Sequence, residues 1–308
     1  MKYFQEQIAL GSTAQICLVS GSDPLSVHKL YRQLWLEVFQ FEKRFSRFLP
    51  DSELSILNRS AGRKMTASQK MIRLLKSAQK LCLETKGIYN PFVLPALQAA
   101  GYVGSMVSGY ENDPVDNYSK RAVVDISMLE IGSDWVSIPY GSAIDLGGCG
   151  KGFLADSMAR KLSPLVDGFW VSLGGDVVYG GYDEGGSKWQ IKIEMAGNDK
   201  TAAVINSLSG DVAAVATSGT GARKNHLIDV RTLKPARTDI LAASVCHKSC
   251  LKADAYASCA VILGSAQGPK LLKEFGVKDA LFQTAGMNIL IGDRIAVDDA
   301  TAVEYNNA

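Results

Sequence analysis

Residues 145–156 read DLGGCGKGFLAD, and this segment determines how the rest of the chain is interpreted. Glycine occupies four of its first eight positions, so the backbone there has few Cβ atoms to hold a ligand away. Asp145 precedes the glycines, Lys151 lies among them, and an apolar pattern at helical spacing follows. A bare backbone, a lysine and a helix start favour contact with phosphate. The alternative is a tight packing turn, and the spacing matches neither a Walker A loop nor the dinucleotide fingerprint.

The composition is that of an ordinary globular protein with a sizeable core. Of the 308 residues, 47% are hydrophobic and 21% are charged, and the net charge is +2. No long basic run is present, which disfavours nucleic-acid binding. No apolar run reaches the ~18 residues that a membrane span requires. The N-terminal residues MKYFQEQ lack the apolar region of a secretion signal, so a cytoplasmic location is expected.

The order of the predicted elements indicates an α+β fold. Helices are predicted from Pro24 onward and over residues 68–84, 151–162, 252–263 and 266–275. Strands are predicted over residues 14–20, 122–126, 129–131, 135–138, 170–173, 189–194, 202–208, 212–217, 226–230, 242–246, 279–283 and 287–291. This irregular order favours mixed or antiparallel sheets with packed helices over a doubly wound sheet. Because no Pro- or Ser-rich linker interrupts the chain, one domain is predicted over residues 1–308.

The six cysteines do not form the disulfide pattern of a small secreted protein. Cys246 and Cys250 flank His247, which could indicate a metal site. However, no second pair lies at zinc-finger spacing, and the chain has only three histidines. A structural role for these cysteines is therefore favoured over zinc binding.

Asp254 and Ser258 are candidate ligands of a hard metal ion. They are four residues apart in a predicted helix and therefore lie on one face of it. A carboxylate and a hydroxyl suit Mg²⁺, which takes few protein ligands and completes its shell with water and phosphate oxygen. The alternative is an acid stabilised by the helix dipole beside a small packing serine, and the pair alone favours that alternative.

His226 is a candidate for proton transfer, because an imidazole changes its charge near neutral pH. A structural histidine is an equally good interpretation. Asp229 and Arg231 follow on one face of the same predicted strand and are expected to pair with each other. Aromatic residues at loop ends, such as Phe48 and Tyr89, can stack on a flavin or adenine ring, but they more often cover the edge of a core.

Taken together, the motifs resemble the FAD:protein FMN transferase family, also called ApbE. The matching segments occur in family order along nearly the whole chain: residues 10–12, 46–48, 51–54, 57–58, 87–91, 145–156, 173–176, 217–219, 226–232 and 253–264. The resemblance implies a single α+β domain that binds FAD and Mg²⁺. It also implies transfer of the FMN half of FAD to a Thr or Ser hydroxyl of a target protein, with release of AMP.

The resemblance also assigns site residues. Those implied to line or contact FAD are Leu10, Phe48, Tyr89, Asn90, Pro91, Asp145, Lys151 and the backbone of Ile228. The metal is implied to be held by the Gly148 carbonyl, Asp254 and Ser258, and His226 matches the histidine that assists catalysis. The family commonly has Asp at position 90 and Thr at position 258, where this chain has Asn and Ser. The implied acceptor is a flavoprotein subunit of a redox enzyme.

Two other functions use the same residues. An FAD pyrophosphatase would use water in place of the acceptor hydroxyl and would give FMN and AMP. A non-catalytic flavin-binding protein would bind FAD without turnover. A flavin oxidoreductase would require a nicotinamide site, for which the sequence contains no fingerprint.

Overall fold

The computed structural model describes residues 1–102, 104, 123–207, 210–221, 226–297 and 303–305. The chain divides into two compact units, each built from separate segments of sequence. Unit 1 comprises Met1–Phe39, Lys151–Lys224 and Arg237–Ala308, and unit 2 comprises Gln40–Gly150 and Asn225–Ala236. The single domain expected over residues 1–308 stays a prediction.

The helices of the described residues are α1 (Pro24–Phe45), α2 (Glu53–Arg59), α3 (Gln69–Glu84), α4 (Leu94–Ala99), α5 (Gly150–Leu162), α6 (Cys250–Leu263) and α7 (Gly268–Glu274). Short 3-10 helices cover Pro91–Val93 and Ile126–Met128. Helices α1 and α3 are amphipathic, and the apolar face of α3 buries Met71, Leu75 and Leu81. No helix in the described part of the chain is both long enough and apolar enough to span a membrane.

The strands are β1 (Lys2–Ala9), β2 (Ser12–Val19), β3 (Met65–Thr66), β4 (Glu130–Ile131), β5 (Trp135–Ser137), β6 (Gly168–Leu173), β7 (Asp176–Gly181), β8 (Gln190–Glu194), β9 (Thr201–Asn206), β10 (Ala213–Gly219), β11 (Ile228–Asp229), β12 (Lys234–Pro235), β13 (Ile240–His247), β14 (Asp279–Thr284), β15 (Asn288–Ile291), β16 (Ile295–Val297) and β17 (Val303–Tyr305). The described residues of unit 1 form a nine-stranded sheet in the order β1-β2-β6-β7-β10-β13-β14-β15-β17. Its neighbours are antiparallel except for the parallel pair β15 and β17. The predicted α+β class with mixed or antiparallel sheets is confirmed.

The core of unit 1 is formed where sheets and helices cover the faces of the nine-stranded sheet. A three-stranded sheet, β16-β9-β8, contributes Ile193 and Ile205 to a cluster with Val215 and Leu281 of the large sheet, and Trp189, just before β8, joins this cluster. Helix α6 packs on β10 and β13. It is apolar around most of its circumference, with ten of its fourteen residues buried, so Asp254 is a buried acid on a mostly apolar helix.

Unit 2 is smaller and contains α2, α3, α4, the sheet β3-β5-β4 and the hairpin of β11 and β12. Asn58, near the end of α2, connects this helix to the segment that contains Ile144. Its Nδ2 donates to the Ile144 carbonyl oxygen at 2.9 Å, and its Oδ1 accepts from the Ile144 amide at 2.8 Å. Two hydrogen bonds from the side chain of Asn58 therefore fix the segment immediately before the glycine stretch to α2.

Two predicted strands differ from the structure for a local reason. In place of the strand predicted over residues 122–126, the chain forms the 3-10 helix Ile126–Met128, because the Asp125 carboxylate accepts from the Ser127 amide at 2.8 Å. Ala122 lies outside the described residues, as does residue 208 of another predicted strand. The strand predicted over 226–230 shrinks to Ile228–Asp229, because the Asp229 side chain accepts from the Arg231 amide and starts a turn.

The turn between β1 and β2 is strained at one residue. Leu10 and Gly11 have φ values of 57° and 66°, and Ala9 pairs with Ser12, so the loop has the positive φ at both positions that a type I′ turn requires. A left-handed conformation costs a residue other than glycine about 1–2 kcal/mol.

Replacing Leu10→Asn should therefore raise the free energy of unfolding by about 1 kcal/mol, because asparagine tolerates this conformation. Urea denaturation of the chain without ligand measures the change. Leu10→Ala is the matched control, since alanine removes the same side chain but keeps the unfavourable backbone preference. Equal stability of the two variants would contradict the assignment of strain to this turn.

Candidate functional site

Lys151 lies between two buried carboxylates in unit 1. Its Nζ is 3.2 Å from Oδ2 of Asp176 and 4.0 Å from Oδ2 of Asp254. Both carboxylate side chains are 5% exposed, and the lysine side chain is 17% exposed. Asp176 begins β7 directly after the Gly174-Gly175 turn, and a Cβ on Gly174 would lie 3.3 Å from Cε of Lys151. The glycine turn therefore leaves room for the lysine stem to reach both acids.

Ser258 and Ser218 form the second part of this group. Ser258 is one turn of α6 beyond Asp254, and its Oγ lies 2.8 Å from Oγ of Ser218 on β10, where either hydroxyl can donate. Ser218 is thus placed to fix the direction in which the Ser258 oxygen points. We call Lys151, Asp176, Asp254, Ser218 and Ser258 the Lys151 cluster.

The start of α6, which carries Asp254 and Ser258, is fixed by a carboxylate from α5. Asp156 Oδ1 accepts from the Cys250 amide at 2.7 Å, and its Oδ2 accepts from the Ser249 hydroxyl at 2.6 Å. Its Oδ2 also accepts from the Leu251 amide at 3.3 Å, so the carboxylate satisfies two amides that a helix start otherwise leaves unpaired, and its negative charge suits the positive end of the helix dipole.

Gly152 allows the backbones of α5 and α6 to approach closely. A Cβ at this position would lie 2.6 Å from the Cys250 carbonyl oxygen and from the Cα and amide nitrogen of Leu251. A real Cβ atom does not fit at that distance, so the fourth glycine of the stretch is required for helix packing. Lys151, the residue before it, consequently lies beside the helix that carries Asp254.

The oxygen atoms of the Lys151 cluster suit a hard divalent cation. Asp254 and Ser258 provide a carboxylate and a hydroxyl from one helix face, and magnesium binds such ligands while keeping several water molecules. Two carboxylates and one ammonium carry one net negative charge among themselves, which also favours a cation. The donor chemistry therefore fits the implied metal.

Arg47 lies at the centre of a second group of candidate site residues, which belongs to unit 2. Its Nε is 2.7 Å from Oδ2 of Asp145 in a pair whose side chains are only 6% and 13% exposed. Its guanidinium carbon lies 4.1 Å from the ring centroid of Phe48 and 4.8 Å from that of Tyr102, which is cation–π distance. The Tyr102 ring also lies 6.4 Å from the imidazole of His226. We call Arg47, Phe48, Tyr102, Asp145 and His226 the Arg47 cluster.

Asp145 fixes the shape of the first glycines as well as the position of Arg47. Its Oδ1 accepts from the Gly147 amide at 2.7 Å, and its own amide donates to the Pro91 carbonyl oxygen at 2.8 Å. A Cβ on Gly147 would lie 2.8 Å from that same Oδ1. The acid that precedes the glycines therefore bonds to the turn and to an arginine.

Tyr89 and Asn90 are buried and engaged locally. The Tyr89 hydroxyl donates to Cys149 Sγ at 2.9 Å, and its ring is 3.6 Å from where a Cβ on Gly148 would lie. Asn90 Oδ1 accepts from the Phe92 amide at 2.9 Å, and its Nδ2 donates to the Val124 carbonyl oxygen at 3.0 Å. Tyr89 thus supports the glycine turn.

The hairpin of β11 and β12 follows His226. Ile228 is buried and pairs with Pro235, while the Asp229 carboxylate accepts two hydrogen bonds from the guanidinium of Arg231, both at 2.8 Å. The pairing expected between Asp229 and Arg231 is present. These hydrogen bonds, led by those from the Arg231 side chain, lower the pKa of Asp229 below its usual range.

Removing this arginine gives a pH-dependent prediction. In Arg231→Gln, the pKa of Asp229 should rise toward that of an exposed aspartate, measured from the carboxyl carbon by NMR titration. A lowered folded-state pKa gives stability that is present above the unfolded-state pKa and is lost as the pH falls through the folded-state value. The variant should therefore be less stable than the wild type at neutral pH and equal to it in strong acid.

Asp239 is the control for this titration, because its pKa is lowered by hydrogen bonds from Ser265 and not by an arginine. Its pKa should be the same in both proteins. An unchanged pKa of Asp229 in the variant would show that Arg231 is not the cause of the shift.

Cys246 and Cys250 are buried thiols. Burial raises the pKa of Cys246 to about 12, and burial together with nearby carboxylates raises that of Cys250 well above its usual value. Their surroundings therefore favour the thiol over the thiolate. The described residues contain no cluster of three or more His, Cys, Asp or Glu side chains arranged to hold a metal. The structural interpretation of these cysteines is favoured.

The ApbE family model matches residues 10–282, which include every candidate site residue and most of both units. This chain belongs to the ApbE family. The expected membership is confirmed.

Two curated relatives of this ApbE chain are both named FAD:protein FMN transferase. The chain is 26% identical to the one from Treponema pallidum, over 98% of this chain and 91% of that protein. It is 27% identical to an FAD:protein FMN transferase of Vibrio cholerae over 73% of this chain and 70% of that protein.

Solved structures show the same fold. The flavinyl transferase ApbE of Pseudomonas stutzeri superposes with a TM-score of 0.79 at 23% identity, covering 94% of this chain and 95% of that one. The ApbE protein of Thermotoga maritima superposes with a TM-score of 0.78 at 21% identity, covering 97% of each chain.

Several residues of the two clusters escaped sequence reasoning. Arg47 and Asp176 lie inside the matching segments 46–48 and 173–176 but are not among the site residues that the resemblance assigns. Ser218 likewise lies inside segment 217–219 without an assigned role. The sequence signal that could identify these three residues is a charged or hydroxyl side chain next to a glycine turn or next to a residue already assigned to the site. Tyr102 had no motif to mark it.

Proposed function

We propose that this ApbE chain transfers the FMN moiety of FAD to a Thr or Ser hydroxyl of a target protein and releases AMP, in a reaction that depends on Mg²⁺. Family membership and the names of the curated relatives support an FAD:protein FMN transferase. The observation that carries the proposal is the Lys151 cluster, in which an ammonium and hard oxygen ligands lie within one buried group. Such a group suits a diphosphate with its metal.

Each residue of the Lys151 cluster has a proposed role. Asp254 and Ser258 would hold Mg²⁺, together with the Gly148 carbonyl that the family resemblance implies. When bound, Mg²⁺ supplies charge stabilisation at the phosphate oxygens. Lys151 would neutralise a phosphate oxygen, and Asp176 would keep the lysine oriented. Ser218 would orient the hydroxyl of Ser258.

The flavin and adenosine parts of FAD are assigned to other residues. Leu10, Phe48 and Pro91 would supply apolar contacts, and the Ile228 backbone would provide a polar contact. Asp145 would act by holding Arg47 and the Gly147 amide. Because both residues already make local hydrogen bonds, Tyr89 is proposed to shape the glycine turn, and Asn90 is proposed to hold the start of the 3-10 helix Pro91–Val93.

The proposed reaction breaks one bond and forms one. The acceptor hydroxyl oxygen attacks the phosphorus on the riboflavin side of FAD, and the bond from that phosphorus to the bridging oxygen breaks, so that AMP leaves with this oxygen. His226 would accept the hydroxyl proton. Positioning of the reactants and stabilisation of phosphate charge would supply most of the rate acceleration.

Replacing His226→Ala should slow transfer by about 10²- to 10⁴-fold, the usual contribution of general base catalysis, and leave FAD affinity largely unchanged. Single-turnover transfer rates and calorimetric FAD binding measure the two quantities. A loss of the acidic limb of the pH–rate profile, where protonation of a general base lowers the rate, distinguishes proton transfer from a structural role. If affinity falls as much as rate, the histidine is structural.

The decisive experiment is mass spectrometry of a candidate acceptor, a flavoprotein subunit co-expressed with this chain. An adduct of FMN joined to Ser or Thr as a phosphodiester, formed together with AMP, is expected. Rapid AMP and FMN release without acceptor would favour FAD pyrophosphatase activity, and FAD binding without turnover would favour a flavin-binding protein. The cytoplasmic location stays a prediction.

A further inference from the structure

Strand β1 is an edge of the nine-stranded sheet. It pairs with β2 through all eight of its residues and, among the described residues, with no strand on its other side. An edge strand exposes a row of backbone amides and carbonyls that can accept another strand. Eight extended residues span about 26 Å, which is long enough to pair with a peptide segment.

A groove of about 720 Å³ lies along this edge, between β1 and helix α1 in unit 1. Gln5 and Gln7 of β1 line one wall. Tyr31 and Trp35 of α1 line the other, and the Trp35 indole donates to Gln5 Oε1 at 2.7 Å. The buried aromatic residues hold the helix at a fixed position beside the strand, so the groove is a built feature of the fold.

The groove is basic and partly apolar. His28, Lys29 and Arg32 line it, and none of the described residues that line it is acidic. Leu36 and Phe39, also in its lining, are 56% and 41% exposed. Exposed cations beside exposed apolar side chains are typical of a surface that recognises an acidic segment.

The opposite face of β1 carries two exposed apolar residues, with Glu6 between them. Phe4 is 51% exposed and Ile8 is 59% exposed, both on the side away from the groove. A strand added to β1 would alternate its side chains between the two faces. One set would meet the cations of the groove, and the other would cover Phe4 and Ile8.

We propose that the edge of β1 and the α1 groove bind an extended segment of a partner protein in which acidic and apolar residues alternate. The segment would add a tenth strand to the sheet through backbone hydrogen bonds. Its carboxylates would lie against Lys29 and Arg32, and its apolar residues would lie against Phe4 and Ile8. This binding is independent of the proposed FMN transfer.

Charge decides between this partner and a second copy of the chain. Two copies joined through antiparallel β1 strands would bring both sets of Lys29 and Arg32 to one face of the joined sheet. Like charges would oppose that arrangement, whereas an acidic segment neutralises them.

The test uses the full chain and the fluorescein-labelled octapeptide Glu-Val-Glu-Val-Thr-Val-Glu-Val. Fluorescence anisotropy should show saturable binding below roughly 1 mM, and hydrogen exchange should show slower amide exchange in residues 2–9 when the peptide is present. The double variant Lys29→Glu with Arg32→Glu should weaken binding by at least about tenfold. Lys76→Glu, an exposed lysine on α3, is the matched control and should bind as the wild type does.

Two altered peptides complete the test. Replacing the three glutamates by lysine should abolish binding through charge, and N-methylation of alternate amides should abolish it through loss of strand pairing. The proposal is overturned if the acidic peptide does not bind, if either altered peptide binds equally well, or if β1 gains no protection. Protection of β1 that rises with protein concentration without peptide would identify a second copy as the occupant and also overturn it.

Discussion

Asp254→Asn should reduce the rate of FMN transfer by about 10²- to 10³-fold, because the variant keeps the shape of the side chain but loses the charge that would hold the metal. Asp254 is 4% exposed and lies in the middle of a buried helix, so no other acid on its own helix face can replace it. Ser258→Ala removes a neutral ligand and should have a smaller effect. Transfer rates measured over a magnesium titration give both values.

Asp239→Asn is the control for this prediction, because Asp239 lies in the same unit but bonds only to Ser265 among the hydrogen bonds described for it. Its transfer rate and magnesium requirement should equal those of the wild type. Binding of Mn²⁺, followed by electron paramagnetic resonance, reports on the metal without turnover. An Asp254→Asn variant that binds the ion and transfers FMN normally would disprove the metal assignment.

The fold class could be predicted because the strongest patterns in the chain are local. Apolar spacing marks α1 and α3, and the irregular alternation of strands and helices excludes a doubly wound sheet. Strand β1 was missed because Lys2–Ala9 places polar and apolar residues on both of its faces, as an edge strand permits. Strand β7 was missed because Asp176–Gly181 lies between glycines that resemble a loop.

The site could be predicted only where its residues lie close in sequence or match a family motif. Asp254 and Ser258 are four residues apart, so helix geometry alone places them together. Ser218 joins them because β10 lies against α6, and Asp176 joins Lys151 because a glycine turn ends beside it. Such contacts depend on sheet order and register, which one sequence does not contain.

The glycine stretch illustrates the same limit. Sequence reasoning assigned its four glycines jointly to a ligand or to a packing turn, and the structure separates them. Gly152 is required where the backbones of α5 and α6 meet, whereas a Cβ on Gly147 would crowd only the Asp145 carboxylate. Both explanations therefore apply within one segment, since the helix contact at Gly152 also sets the position of Lys151.

Gly152→Ala should lower the free energy of unfolding by about 2–3 kcal/mol, the usual cost of forcing an extra carbon into a closed contact. The added Cβ would lie 2.6 Å from backbone atoms of Cys250 and Leu251, which cannot rotate away as a side chain would. Helix α6 must then shift, and the hydrogen bonds that the Asp156 carboxylate accepts at the start of this helix must lengthen. Urea denaturation measures the loss of stability, and faster amide hydrogen exchange at the start of α6 locates it.

Gly150→Ala is the matched control, two residues earlier in the same helix. A Cβ there would lie 3.6 Å from the Phe41 ring, which is ordinary van der Waals contact. Alanine also favours helix over glycine by up to about 1 kcal/mol, so this variant should be as stable as the wild type or more stable. If Gly152→Ala unfolds at the same urea concentration as Gly150→Ala, the close approach of α5 and α6 is not what requires glycine at position 152. Its place in the stretch would then have to be explained by ligand contact alone.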